Sequence, residues 1–356
     1  AGTISLPLFV PAVYRQMKMT RTQMETAVES ARTTRIDMVA AVRSAYYNVL
    51  LAEQSMSVLN EAVATTQSVV DNTRNLYENG LAAEYDYITA QVQLSNLKPQ
   101  VLQAQNAIEI TKLQLKMYLS IPEDVEIALR GTLDDFRSQV LLGEDYSTDI
   151  SENTTLRTLD LQRELLEHQE KLIQTTRMPT VAAFGQISYI GQERVNLGGL
   201  LGGMAGGAGG ATAEQSKFWW QYPINIGAQI SIPLFAGFKK TNQLREVRNQ
   251  MKQLEIQREY AEEGIRLQVE QAINTLHTAR ETMLSNELTV EQATKAYDIS
   301  LSRYNAGAGT ILELNSSQLS LTQAQLSYSQ SIYDYLSAYA QYEKTLGTER
   351  YAENVK

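Results

Sequence analysis

Two long stretches without helix breakers constrain the fold more than any other feature of the chain. Neither glycine nor proline occurs between Ala12 and Asn79, and Gly264 is the one breaker between Lys239 and Tyr304. Apolar residues in both stretches recur at three- and four-residue steps, the period of an α-helix. Each stretch therefore predicts a helix of about 65 residues, roughly 95–100 Å long at ~1.5 Å per residue. Helices of this length indicate a coiled coil or a helical barrel, since globular helices typically run about 8–20 residues.

The chain also contains an internal repeat. Residues 5–9, Ser-Leu-Pro-Leu-Phe, return as Ser-Ile-Pro-Leu-Phe at 231–235, and the Tyr-Glu-Asn-Gly of 77–80 returns as Tyr-Asn-Ala-Gly at 304–307. Two motifs that recur in the same order and at almost the same separation predict a structural unit that occurs twice in the chain. After each glycine a second helix is expected, about Glu84–Leu119 and Ile311–Leu346. Pro99 is expected to kink or break the first of these.

Short segments of the chain alternate strictly between apolar and other residues. From Tyr222 to Leu234 every even position is apolar and no odd position is, apart from prolines. This period of two is typical of a transmembrane β-strand, although a soluble sheet with one face on a core fits it as well. Residues 1–9 and Val181–Ile190 predict two further strands. The aromatic residues expected at a membrane interface are Trp219, Trp220 and Tyr222.

These patterns divide the chain into seven segments. Residues 198–210 are rich in glycine and predict a flexible loop between strands. Residues 120–154 are polar, acidic and without a clear period, and are interpreted as a connecting segment. The expected segments are a strand end at 1–9, a helical hairpin at 10–119, the connecting (equatorial) segment at 120–154, a helix at 155–178, a β-hairpin at 179–236, a second helical hairpin at 237–346 and a tail at 347–356.

Composition and motifs exclude several classes of function. The net charge of −9 argues against nucleic acid as a partner, because phosphate binding needs a basic surface. The chain has no cysteine, no metal-ligand spacing and no phosphate-binding loop, so we expect neither a metal nor a cofactor. His168 and His277 lie in helical stretches rich in polar residues and are interpreted as solvated. The sequence therefore predicts a protein that is not an enzyme.

The chain resembles the outer-membrane efflux protein family, the TolC-like channel-tunnels, in the order of its elements. This order occurs twice and consists of a strand, Ser-Leu/Ile-Pro-Leu-Phe, a very long helix, an Arg/Leu-Tyr-x-x-Gly turn and a returning helix. The resemblance covers nearly the whole chain. It implies a mainly α-helical protein with a small β part: a homotrimer that closes a 12-stranded β-barrel and a periplasmic α-helical tunnel. The family pattern also places a helix and a strand before residues 5–9, so we expect roughly a hundred further residues there.

The resemblance further implies a location and partners. The location is the outer membrane of a Gram-negative bacterium, in contact with its lipid and with a large periplasmic portion. The partners are a periplasmic adaptor (membrane fusion) protein and an inner-membrane transporter. The expected function is the exit channel of a tripartite efflux or type I secretion system, a passive conduit for drugs or exported substrates. The alternative is a soluble periplasmic coiled-coil scaffold or adaptor without a pore.

Two groups of site residues follow from the resemblance. The gate positions are Glu313, which matches an acidic ring, and Asp86 with Tyr304, which match a pair that ties neighbouring hairpins; Gly309 stands where the family has a linking arginine. Glu313 equally fits a solvated acid favoured by a helix start. The turns also fit plain helix ends. The residues that match the adaptor-docking tip are Asn79, Gly80, Leu81, Ala306, Gly307, Ala308 and Gly309.

Overall fold

The computed structural model describes residues 2–141, 146–193, 218–221, 223–235 and 237–348. The glycine-rich segment 198–210, Tyr222 and most of the tail 347–356 lie outside these residues. The fold is mainly α-helical. In chain order the elements are β1 (Gly2–Phe9), α1 (Pro11–Glu78), α2 (Glu84–Leu119), a 3₁₀ turn (Leu133–Phe136), α3 (Arg137–Leu141), α4 (Thr154–Thr175), β2 (Thr180–Ile187), β3 (Ile190–Glu193), β4 (Phe218–Gln221), β5 (Ile224–Ser231), α5 (Lys239–Asn305) and α6 (Ile311–Leu346).

The two very long helices are confirmed. Helix α1 has 68 residues and α5 has 67, and Gly264 does not interrupt α5. Pro11 occupies the first helical position of α1, where its missing N–H costs no hydrogen bond. None of the helices in the described part of the chain carries an apolar stretch able to span a bilayer.

The returning helix α2 runs unbroken through Pro99, so the expected break is wrong. Proline removes the N–H that would bond the carbonyl of Ser95. Both residues are exposed, so water can satisfy that carbonyl. One missing bond in a helix of 36 residues leaves the rest of the hydrogen-bond ladder in place.

The chain divides into two compact units. The first comprises Ala1–Thr26 and Leu159–Gln257, and the second comprises Ala27–Thr158 and Arg258–Lys356. The first unit holds an antiparallel sheet in the order β1-β2-β5 and a second ladder between β3 and β4. Thr180–Ile187 of β2 pairs with Ile224–Ser231 of β5 residue for residue, so this hairpin has no irregularity within the pairing.

His168, in the first unit, corrects one interpretation from the sequence. Its side chain is 14% exposed, and its Nε2 lies 3.5 Å from Oε1 of Glu164, one turn earlier on α4. The same Glu164 carboxylate accepts a hydrogen bond from the Thr22 hydroxyl at 3.4 Å. His168 is therefore largely buried beside α1, and not solvated. His277 is exposed as expected, with its ring 5.3 Å from that of Tyr146.

The second unit has a core rich in tyrosine. Leu276, Met283 and Ile332 are fully buried at its centre, on α5 and α6. The connecting segment contributes to this core, because Leu133 of the 3₁₀ turn and Val140 of α3 are also fully buried. Two further bonds fix the segment: the Tyr46 hydroxyl donates to the Arg130 carbonyl at 2.5 Å, and the Tyr342 hydroxyl donates to the Ser147 carbonyl at 2.8 Å. The segment therefore holds more regular structure than its polar composition predicted.

Candidate functional site

The two hairpin turns have the same hydrogen-bond pattern. In the first, the N–H of Gly80 donates to Tyr77 O (2.9 Å) and that of Leu81 to Leu76 O (2.8 Å). In the second, the N–H of Gly307 donates to Tyr304 O (3.0 Å) and that of Ala308 to Arg303 O (2.9 Å). Each pair of bonds is the Schellman motif that ends a helix on a glycine. The residues predicted for a docking tip therefore form two matching turns.

Both central glycines have a left-handed backbone. The φ angle is +73° at Gly80 and +68° at Gly307, and a Cβ at either position would meet nothing within 4 Å. A side chain there would strain the backbone but would project into open space. Gly309 is different, since its Cβ would lie 3.2 Å from both Arg303 Cβ and Tyr304 N. Asn79 caps the end of α1 by donating from Nδ2 to Asn75 O at 2.7 Å, and Leu81 and Ala306 are exposed.

Tyr304, predicted to tie hairpins together with Asp86, is buried between α1 and α5. Its hydroxyl lies 3.0 Å from that of Thr73. Beside this contact, Asn72 Nδ2 donates to Asn305 Oδ1 at 3.1 Å. Asp86 lies in the first turn of α2. The structure thus gives Tyr304 a partner on α1 that the sequence did not indicate.

A small apolar cluster surrounds this contact. It comprises residues from all four hairpin helices, and burial raises the pKa of the Tyr297 hydroxyl within it. The two hairpins are therefore packed together near their turns through apolar contacts and buried hydrogen bonds. The buried members are Val69, Val70, Ala90, Tyr297, Tyr304, Ile311 and Leu314.

Glu313 begins helix α6 beside a basic residue. Its N–H donates to Thr310 Oγ1 at 3.2 Å, so Thr310 is the N-cap. Its carboxylate lies 3.8 Å from Nη2 of Arg303, which also donates to the Ala308 carbonyl at 3.2 Å. Sequence reasoning placed Arg303 in the turn motif but missed its pairing with Glu313. The available signal was a basic residue four positions before the turn glycine Gly307 and an acid six positions after it.

The sheet separates apolar from polar side chains. Directly paired residues of an antiparallel sheet face the same side. On one face Leu6, Ala183 and Ala228 are paired in series, and the neighbouring Ile226 is 86% exposed. On the opposite face the series Thr3, Gln186 and Asn225 is polar, and Phe184 and Ala182 are the apolar residues that β2 places there. The apolar face is therefore open along the sheet, as the alternation predicted.

Two details of the sheet were not visible in the sequence pattern. A bulge between Pro7 and Phe9 removes Leu8 from the pairing and sets Phe9 opposite Val181, on the apolar face. This irregularity follows Pro7, which has no N–H for the ladder. On the polar face, the Phe184 ring would lie 3.1 Å from a Cβ at Gly227, so only glycine leaves room for it.

Of the three aromatic residues predicted for a membrane interface, two lie in β4 and Tyr222 lies outside the described residues. The ring of Trp220 stacks on Tyr189, with centroids 4.2 Å apart and planes 11° from parallel. Trp219 is its neighbour on the strand, paired with Gln192. The stacked rings of Tyr189 and Trp220 are each about half exposed.

The described residues combine a sheet that has one exposed apolar face with two long helical hairpins that end in matching turns. This is the mainly α-helical architecture with a small β part that the sequence predicted.

Comparison with known proteins gives the family. The model of the family described as "Outer membrane efflux protein" matches residues 2–120 and 146–348, so the chain belongs to that family. It is therefore an outer-membrane exit channel with a large periplasmic portion and not an enzyme, which confirms the function predicted from the sequence and excludes the soluble scaffold.

Individual relatives agree with this assignment. The chain is 20% identical to the outer membrane protein TolC of Vibrio cholerae over 340 residues, which cover 91% of this chain and 72% of that protein. It is 20% identical to the alkaline protease secretion protein AprF of Pseudomonas aeruginosa over 347 residues, 95% of this chain and 68% of AprF. The crystal structure of the outer membrane protein VceC from Vibrio cholerae has the same fold, with a TM-score of 0.69 at 16% identity, covering 97% of this chain and 78% of VceC.

Proposed function

We propose that the protein is a homotrimeric channel-tunnel in which a 12-stranded β-barrel and an α-helical tunnel form one passive conduit from the periplasm outward. The observation that carries this proposal is the sheet with one apolar face and one polar face. In the described residues β1 and β5 are its two edges. Exposed strand edges pair readily with another chain, and closing a barrel removes them. Lipid would cover the apolar face, and the polar face would line the pore.

The two hairpins are proposed to be copies of one repeat. The matching hydrogen bonds at Gly80 and Gly307 support this, since the turns lie at corresponding places in the two halves. In this division the first copy is 1–119 and the second 155–346, with 120–154 as the equatorial connection between them.

We place the adaptor-docking surface at the two turns. Gly80 and residues 306–308 expose backbone and small side chains that let a partner helix approach closely, and Asn79, Leu81 and Gly309 lie next to them. The adaptor would connect the channel to an inner-membrane transporter. Glu313, repeated in three protomers, would form an acidic ring at the narrow end, with Asp86 and Tyr304 at the hairpin contacts. Trp219 and Trp220 are proposed to lie at a membrane interface.

The assembly can be tested on the full-length protein in detergent. We expect a particle of three protomers that forms channels in a planar lipid bilayer. A monomer that never conducts would contradict the proposal. Cross-linking of a cysteine introduced at Leu81 to a co-expressed adaptor tests the docking surface, and a cysteine at the exposed Lys98 within α2 is the matched control.

A further inference from the structure

Three helix ends meet at one end of the β1-β2-β5 sheet. Phe9 pairs with Val181, and Val181 pairs with Ile230, close to the last pair of the ladder. Helix α1 begins directly after β1, α4 ends just before β2, and α5 follows β5. The chain therefore enters and leaves the sheet three times at the same end.

The chain segments at this end carry only positive charge. Residues 1–24, 171–192 and 223–245 contain no aspartate and no glutamate, in a chain whose net charge is −9. The net charge of these segments is therefore positive, opposite in sign to that of the whole chain, at the end of the sheet where the helices begin. The basic residues of these segments are Arg15, Lys18, Arg21, Lys171, Arg177, Lys239, Lys240 and Arg245.

Three of these residues lie where the end of α4 meets the start of α5. Arg177 Nη2 donates to the Thr241 hydroxyl at 3.4 Å, and Lys240 Nζ donates to the Thr176 carbonyl. These bonds join the end of α4 to the start of α5 and hold Arg177 and Lys240 at that junction, where Lys239 is the first residue of α5. Among the described residues, none of the three forms an ion pair with a carboxylate. Their positive charge is therefore available to a partner.

Aromatic side chains accompany this charge. Phe235 and Phe238 are 78% and 70% exposed, and their rings meet edge to face with centroids 5.7 Å apart. Phe238 has φ of +62°, a conformation that residues other than glycine rarely adopt. Two exposed aromatic rings in contact form an apolar patch of the kind that binds a partner or a membrane.

We propose that Arg177, Lys239, Lys240, Phe235 and Phe238, here called the basic collar, bind the phosphodiester headgroups of anionic phospholipids in the periplasmic leaflet of the outer membrane. Aromatic rings favour the boundary between lipid tails and water, and basic residues just beyond it attract anionic headgroups. The collar lies at the end of the sheet where the polar helices begin, which is the periplasmic end of a membrane-spanning sheet. This inference rests on the proposed function, because it requires the apolar face to lie in the bilayer.

The test is a lipid titration of the detergent-solubilised full-length protein, in which native mass spectrometry measures the bound lipid. The probes are phosphatidylglycerol, neutral phosphatidylcholine and lipid A. We expect phosphatidylglycerol to bind more tightly than phosphatidylcholine. Combining Arg177→Gln, Lys239→Gln and Lys240→Gln should weaken phosphatidylglycerol binding by about fivefold for each charge removed.

Two further variants show whether the loss of lipid binding comes from the removed charge at this position, from a folding defect or from the lower net charge of the whole protein. The variant with Arg177→Lys, Lys239→Arg and Lys240→Arg keeps the charge and should keep the preference for phosphatidylglycerol. Neutralising Lys98, Arg266 and Lys295, which lie on helices of the other unit, should also leave it unchanged. Loss of preference in either variant would contradict the collar, as would tighter binding of lipid A than of phosphatidylglycerol.

A channel recording distinguishes failure of the collar from failure of the function. Protein that conducts in a planar bilayer but binds both phospholipids equally would overturn the collar alone. Protein that never conducts would overturn the proposed channel, and the collar with it.

Discussion

The hydroxyl groups of Thr73 and Tyr304 lie 3.0 Å apart, buried between the ends of α1 and α5. Thr73 also donates to the Val69 carbonyl at 2.8 Å, so its oxygen is the acceptor for Tyr304. This hydrogen bond joins the two hairpins close to both turns. Any opening movement that separates α1 from α5 near the turns must break it.

Tyr304→Phe removes this bond without changing the shape of the side chain. We expect a loss of about 0.5–1.5 kcal/mol in the free energy of unfolding, the usual net value of one hydrogen bond. Denaturant unfolding of the purified protein measures it. Tyr77→Phe is the control, because that tyrosine occupies the corresponding place in the first turn but is 39% exposed. Equal losses in the two variants would contradict the role of the bond.

Gly307→Trp should block export while leaving the assembled protein intact. Positive φ at this residue costs a side chain on the order of 1–3 kcal/mol, little for a large assembly, whereas the indole would keep an adaptor away. Export assays with the cognate adaptor measure the effect, and size-exclusion chromatography checks assembly. Gly307→Ala carries the same strain without the bulk and should export normally. Normal export by the Gly307→Trp variant would show that the tip is only a helix-connecting turn and does not dock an adaptor.

Glu313→Gln and Arg303→Gln should change ion selectivity in opposite directions. Removing the carboxylate lowers the preference for cations and the block by multivalent cations, since a ring of carboxylates attracts them. Removing the guanidinium 3.8 Å away exposes the carboxylate and raises the cation preference. Reversal potentials measured in a salt gradient across a planar bilayer give the cation preference of each variant. Unchanged potentials in both variants would place the gate elsewhere.

Thr310→Ala should destabilise the start of α6 by about 1 kcal/mol, the usual value of an N-cap hydroxyl. The corresponding position before α2 is Ala83, whose backbone is extended but whose side chain cannot accept a hydrogen bond. Ala83→Ser should therefore stabilise the first turn by a comparable amount. Thermal unfolding of the two variants measures the changes, and a shift of the same sign in both would count against the capping role.

Gly347→Ala should be the most damaging of the glycine substitutions. Gly347 has φ of +74°, and a Cβ there would lie 2.7 Å from the carbonyl oxygen of Glu152. The left-handed backbone costs about 1–2 kcal/mol, and forcing the Glu152 backbone away adds about 1–3 kcal/mol. Gly80→Ala carries only the first cost, because nothing lies within 4 Å of its Cβ. Denaturant unfolding of both variants tests this difference.

The sequence by itself determined the elements whose signals are local. The absence of breakers between Ala12 and Asn79 predicted α1, because each residue of a helix bonds its neighbour four positions away. The alternation from Tyr222 to Leu234 predicted a strand with one apolar face, because strand side chains alternate by geometry. The turn glycines were visible because their signal is local too, since a left-handed backbone favours glycine.

Only the tertiary structure decided which side chains meet. Tyr77 and Tyr304 stand at the same place in two nearly identical turns, yet Tyr77 stacks on Tyr87 and Tyr304 is buried against Thr73. The bulge that turns Phe9 to the apolar face and the bond from Arg177 to Thr241 likewise depend on distant partners. These contacts join residues on different helices or strands, most of them dozens to hundreds of positions apart in the chain. The packing of helices and strands determines them, and a local sequence period does not.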